Sequence, residues 1–442
     1  MVVLNKKADQ DEPHSRWRKL GYDQLGPQPG LGRIVFAEAP KMNAFRQSMA
    51  GVHTWAGIML GGLLFAIFWM GTLSVFDLEI DKWMRPQLRI AGFEERSLDS
   101  VVATILPQLA PDGSIALHRP TERKPFFDVS YDGPGQKRQN VLLHPSSAKA
   151  LMPIDSLAGS QFLYPFHTHL HLHAGSIGRW IVGFAALGML VLITSGLFVH
   201  RRIIKDFFVF RPDKKLGRST LDLHNLTGVV ALPFHILIPL SGLIILYGPY
   251  YPWSTDLPYN MDGGASYRDQ KAIFSVQPLG ETQANLLPVD RLVADIEAAW
   301  SRRSGQPFDV EYLELRWPMN EAAHLEARAD FPRRNVARSQ RVIIKNWITG
   351  KTMIDHQDRG LRSATLWFEG FHFIQFDHWS LRWLYFLGGI SGCVMIATGN
   401  LFWMRARMRK HAEDQVSIRV VRALTIGFEP GMSLAPASFF VA

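Results

Sequence analysis

Cysteine is almost absent, with Cys393 the single one in 442 residues. That excludes a disulfide framework, a Cys-ligated zinc site and a Cys-bound iron–sulfur cluster. No C-x-x-C-H occurs either, so covalent c-type haem attachment is excluded, and Cys393 reads as a small helix-packing residue. A glycine-rich nucleotide fingerprint and a flavin-binding pattern are missing too. The net charge is +9, yet no aromatic-interleaved basic groove or nucleic-acid motif accompanies it, which argues against nucleic acid as a partner. The first 48 residues lack the short apolar core and small-residue cleavage site of a removable signal, and are read as a polar cytoplasmic tail.

Mean hydropathy is near zero, but the average hides four long apolar runs set between polar blocks. They are 49–76, 177–200, 223–247 and 380–404, each long enough for the ~30 Å hydrocarbon core at ~1.5 Å per residue. Positive charge decides their orientation. Arg16, Arg18, Lys19, Arg33, Lys41 and Arg46 precede the first run. Arg201, Arg202, Lys205 and Arg211 lead a basic loop over 201–222, and Arg405, Arg407, Arg409 and Lys410 follow the fourth run. These segments are expected in the cytoplasm, which leaves 77–176 and 248–379 outside, in the periplasm of a bacterial inner-membrane protein. The closing stretch 405–442 is expected to be a cytoplasmic tail, with LAPASFFVA as the start of an incomplete fifth helix.

The chain repeats itself. His53, Gly57 and Gly71 recur with identical spacing as His224, Gly228 and Gly242, and Arg179, Trp180 and Ser195-Gly196 recur as Arg382, Trp383 and Thr398-Gly399. Carried upstream, the second register sets His169 against His372, each ten residues before its arginine. The expected fold is thus an α-helical four-span bundle built as a parallel internal repeat, with a pseudo-two-fold axis along the membrane normal. That axis pairs His53 with His224 at one face and His169 with His372 at the other. Facing histidines with glycines one turn along suit a b-type haem, which takes two axial imidazoles and needs room for a flat macrocycle. Two such pairs suggest two haems. His200 and His235 have no mate in the repeat, their counterparts being Trp403 and Leu64. They are candidates to displace a ligand and to bridge the two levels, respectively, and Pro233 and Pro239 predict a kink around His235.

Each outer segment reads as one helix on a short antiparallel sheet: 98–109 followed by alternating runs to 151, then 288–303 followed by runs at 309–317, 322–329 and 340–347. Two small α+β domains are expected. His118, His144, His324 and His356 show no ligand spacing and read as ordinary residues. The run FHTHLHLHAG is the densest cluster, with His167, His169, His171 and His173. Imidazole suits iron, zinc and copper, so His171 and His173 are candidate metal ligands, and the three histidines other than His169 are candidates for metal entry or propionate contact.

These motifs resemble the PepSY-associated transmembrane helix family, which includes ferric-siderophore reductases of bacterial inner membranes. The opening His-x-x-x-Gly matches His53 to Gly57 and His224 to Gly228, the latter followed by Ser241-Gly242. The pre-helix motif stands as His169, Leu172, Gly175, Gly178 and Arg179, and GFHF carries His372. LHPSSAKAL and NWITGKTMID are similar to the closing turn of PepSY domains. Met70 and Ala148 depart from the pattern. The resemblance implies a haem-b reductase passing electrons to a periplasmic ferric chelate such as a siderophore, with a separate donor, either a cytoplasmic reductase or a quinol. Two readings from other classes stand beside it: an iron or copper transport protein, and a PepSY-type sensory or peptidase-regulating protein.

Overall fold

The computed structural model describes residues 43–133, 135, 138–151, 159–200, 211, 216–250, 276, 279–280, 285–305, 307–329, 341–357, 360–374, 376–408 and 416–439. Much of the basic loop at 201–222 and much of 248–284 lie outside these residues, so the turn between the second and third apolar runs goes undescribed. In chain order come α1 (Ala44–Ser74), α2 (Asp77–Met84), α3 (Leu98–Ile105), β1 (Ser114–His118), β2 (Phe127–Asp132), β3 (Arg138–Leu143), β4 (Ala150–Leu151) and α4 (Ser160–His169). Then follow α5 (Ile177–Val199), α6 (Leu216–Val230), α7 (Leu232–Ile245), α8 (Val289–Ser304), β5 (Tyr312–Arg316), β6 (His324–Ala329), β7 (Arg341–Asn346) and β8 (Thr352–Gln357). The chain closes with α9 (Leu361–Phe373), α10 (Trp379–Met408), α11 (Val416–Ile426) and α12 (Met432–Phe439).

Three helices, α1, α5 and α10, are long and apolar enough to cross a membrane, and α6 with α7 makes a fourth if the pair is one broken span. That pair bends by 65° at Ala231. The bend follows from Pro233, which sits in the first turn of α7, where its missing N–H is tolerated while its ring blocks continuation of the preceding turn. The third apolar run is therefore two helices, and the kink falls before His235, on the N-terminal side of both prolines.

The two expected outer domains are one sheet. Its order is β4-β3-β2-β1-β5-β6-β7-β8, antiparallel throughout. β1 and β5, the first strand of each half, pair in the middle with Ile115 opposite Leu315 and Leu117 opposite Leu313. Periodicity identifies strands but not which edges meet, and an unpaired edge is a liability that this pairing removes. A single core lies under both halves, built from Val101, Val102 and Ile105 of α3, Leu292, Ile296 and Trp300 of α8, and the inward residues of the central strands.

The two sheet helices cap each other. Asp290, in the first turn of α8, accepts hydrogen bonds from the Ser97 hydroxyl (2.5 Å) and the Leu98 and Asp99 amides (2.9 and 3.2 Å). Asp99 accepts from the Val289 and Asp290 amides in return. Each carboxylate thus serves the orphan donors of the other helix. Asp290→Ala is expected to lower stability by about 1–2 kcal/mol, the usual cost of a lost cap, readable as a lower midpoint in denaturant unfolding of the detergent-solubilised protein.

The C-terminal stretch also differs from expectation. Instead of a tail, α11, a π-helical turn at Gly427–Gly431 and α12 fold back along the bundle. Phe428 packs where a Cβ on Gly62 would stand, 2.7 Å away. Asn400 of α10 lies against Gly61 and donates to the Glu429 carboxylate at 2.8 Å. Arg419, Arg422 and Glu429 interrupt this apolar run, which is why it does not stand out as a membrane-depth helix.

Candidate functional site

At the end of the bundle away from the sheet, α1 brings His53 and α6 brings His224 to ring centroids 6.1 Å apart. His53 Nδ1 is 2.9 Å from the Leu192 carbonyl and 3.3 Å from Ser195 Oγ, and its Cε1 is 3.1 Å from where a Cβ on Gly196 would be. His224 repeats the arrangement on α10, with Nδ1 2.7 Å from the Met395 carbonyl and Cε1 3.0 Å from a Cβ on Gly399. The Ser-Gly and Thr-Gly dipeptides are the seats of these rings, and a Cβ at either glycine would press on one by a few tenths of an ångström.

At the sheet end, the partner of His372 is His167 and not His169. The two ring centroids lie 5.9 Å apart with 27° between planes. His167 Nδ1 is 2.9 Å from the Ile67 carbonyl, and its ring fills the space beside Gly71. His372 Nδ1 is 3.1 Å from the Ile238 carbonyl and 3.0 Å from Ser241 Oγ, beside Gly242. Met70 takes the place of Ser241 in the first copy and is fully buried. The register fails because the link from His to the following span is longer in the first copy: ten residues from His167 to Ile177 and seven from His372 to Trp379. The dipeptides Phe166-His167 and Phe371-His372 carry the true correspondence.

In all four histidines a backbone carbonyl faces Nδ1. A carbonyl only accepts, so Nδ1 carries the proton and Nε2 is left as a lone-pair donor, the arrangement found in metal-ligating histidines. Two imidazoles on opposite sides of one iron, each with a bond of about 2 Å, set ring centroids roughly 6 Å apart. Both pairs have that spacing, so both could hold a haem. His53 and Gly71, which belong to the two levels, are 18 residues apart on α1, about 27 Å along the helix.

The remaining candidates stand outside the two pairs, although His169 lines the same cavity as His167 and His372. His169 ends α4 with Nδ1 3.1 Å from Thr168 Oγ1. His171, in a left-handed conformation, has its Nε2 2.9 Å from the Phe162 carbonyl. The rings of His169, His171 and His173 lie 5.5–6.4 Å from one another, but among the described residues no group of three or more His, Cys, Asp or Glu is arranged to hold a metal ion. His200 caps α5, and its buried Nδ1 has no hydrogen-bond partner among the described residues. His235 is completely buried between Phe68 and Phe234, with the Gly228 and Gly388 backbone beside its ring, and among the described residues neither ring nitrogen makes a hydrogen bond of good geometry.

The sheet-end pair opens into a cavity of about 770 Å³. Its floor is apolar, with Leu64, Met189 and Phe234, and its rim reaches the sheet at His118, Arg119 and Tyr312. Beside it, sequence reasoning missed an ion network. Glu79 of α2 binds Arg123 through two contacts (3.2 and 2.9 Å) and Arg382 of α10 at 2.7 Å. Arg382 is 1% exposed and stacks on Trp379, 4.2 Å from the ring centre. Burial alone raises the Glu79 carboxyl, but the hydrogen bonds from Arg123 and Arg382 overcome it and bring it down to about 2.

Apolar spans with inward histidines, joined to an eight-stranded antiparallel sheet, define a helical integral membrane protein. The chain belongs to the PepSY-associated TM region family, whose pattern matches residues 50–406. It is 24% identical over 280 residues to the uncharacterized protein PA4219 of Pseudomonas aeruginosa, covering 61% of this chain and 69% of that one.

Proposed function

We propose that this is a haem-b membrane reductase that passes electrons across the membrane to a ferric chelate such as a siderophore complex, releasing iron as Fe(II). The observation that supports it most is the geometry of the two pairs: imidazole centroids 6.1 and 5.9 Å apart, each Nδ1 on a carbonyl and each ring seated on a glycine. Haem bound between each pair supplies a one-electron carrier at that level. The chain's own residues do the rest. The carbonyls hold the imidazoles in one tautomer, and the apolar floor of the cavity lies under the sheet-end pair.

Positive charge at 201–222 and after α10 supports an orientation with His53 and His224 on the cytoplasmic side and the sheet in the periplasm. The matching seats at Ser195-Gly196 and Thr398-Gly399 support a four-span parallel repeat. The donor is a separate cytoplasmic reductase or a quinol. Each Fe(III) takes one electron, and hard oxygen chelators hold Fe(II) far less well.

The test is an absorption spectrum of the purified protein, oxidised and reduced, with a pyridine haemochrome assay. Sharp reduced bands of six-coordinate b-type haem at about two per chain are expected. Protein expressed with ample haem that carries none would overturn the proposal.

A further inference from the structure

The sheet-end cavity is amphipathic, and its rim is not uniformly charged. Four cationic side chains reach it: Arg119, Arg123, Lys124 and Arg179. Two are already committed, Arg119 to Glu95 and Glu297 at 2.7 Å each, and Arg123 to Glu79 at 2.9 Å. Lys124 and Arg179 have no salt-bridge partner among the described residues, and both side chains are exposed. Asp77, Glu311 and Asp377 share the rim, with Asp77 in electrostatic reach of Lys124, so the mouth offers two cations outside any close ion pair and not a broad positive field. Such a mouth suits an apolar body bearing two carboxylates better than a polyanion.

The two cations come from different parts of the molecule. Lys124 stands on the turn between β1 and β2, which is closed by hydrogen bonds between Thr121 and Lys124 in both directions, at 2.8 and 2.9 Å. Arg179 is in the first turn of α5, and its carbonyl accepts the Tyr250 hydroxyl at 2.6 Å. One anchor thus belongs to the sheet and the other to a span. His167 and His372 line the same cavity as both cations.

Resting on the haem reading above, we propose that Lys124 and Arg179 bind the two propionate carboxylates of the sheet-end haem and so tie the sheet to the bundle through that group. The test uses the full haem-loaded chain in detergent. Lys124→Met, Arg179→Met and the charge-keeping Lys124→Arg are compared by the rate of haem transfer to a scavenger protein and by spectroelectrochemical titration. Each methionine variant is expected to release one of the two haems about tenfold faster, the effect of losing one charge-assisted hydrogen bond. It should also lower that haem's midpoint potential, because an uncompensated carboxylate favours the ferric state. Lys124→Arg should restore both. Haem dimethyl ester, lacking the carboxylates, should leave wild type and variants at the same rate. Two bound haems with unchanged rates and potentials in the methionine variants would overturn the assignment. A rise in KM for an anionic ferric chelate with haem retention unchanged would overturn it too, giving the rim to the substrate. A wild-type chain that binds no haem overturns the underlying reading instead.

Discussion

His167→Ala is expected to cut haem from about two per chain to about one, while His169→Ala leaves it at about two. The distinction follows from where α4 ends. His167 is the last-turn residue whose ring enters the bundle, held by the Ile67 carbonyl with its centroid 5.9 Å from that of His372. His169, two residues on, faces Thr168 and the neighbouring histidines outside the pair. The sheet-distal pair should be untouched in both variants, so the surviving haem in His167→Ala serves as an internal standard. Haemochrome assay and the reduced spectrum read the result. The reverse outcome, loss with His169→Ala and retention with His167→Ala, would return the ligand role to the residue that the span register selects.

Glu79→Ala is expected to destabilise the junction between sheet and bundle by about 3–5 kcal/mol, because it removes the carboxylate paired with the buried Arg382 guanidinium and leaves Arg123 only the longer contact to Asp77 at 3.8 Å. Glu79→Gln keeps a hydrogen-bond acceptor and should cost less, about 2–3 kcal/mol. The pH dependence has a definite sign. Glu79 is held at about 2 against the ordinary glutamate value of 4.5, so its contribution is complete above the unfolded value and is lost as pH falls from there through about 2. Thermal unfolding of the wild type should therefore weaken across that acid window, and Glu79→Gln should lack this component. Equal pH profiles for the two proteins would count against the network.

Much of this architecture could be read from the residues. The repeat of His53, Gly57 and Gly71 as His224, Gly228 and Gly242 located the sheet-distal pair, because each stretch runs through spans where residue spacing translates directly into position. The same reasoning failed for His169, since a loop of different length separates the pre-span histidine from the span, and counting across it transfers the error. Pairing of β1 with β5 was hidden because a strand's alternation says which face is buried and nothing about its neighbour. The Glu79–Arg123–Arg382 network was hidden for a similar reason: its members are scattered through the chain and no local pattern joins them. α11 was missed because Arg419 and Arg422 punctuate its apolar run, whereas α12 falls on the LAPASFFVA stretch expected to begin a helix.

The central β1–β5 pairing ties together residues about two hundred positions apart, since Ile115 faces Leu315. Everything between them, α5 and the broken pair α6–α7 included, must be synthesised before the ladder can close. At roughly 5–20 residues per second, β1 waits on the order of 10–40 s with one edge unsatisfied. During that interval the nascent first half, already threaded into the membrane, presents an open strand to every other chain in its compartment. Assembly of this protein is therefore most exposed to mispairing between copies while the second half is still on the ribosome, and a chain truncated after α5 should aggregate through β1.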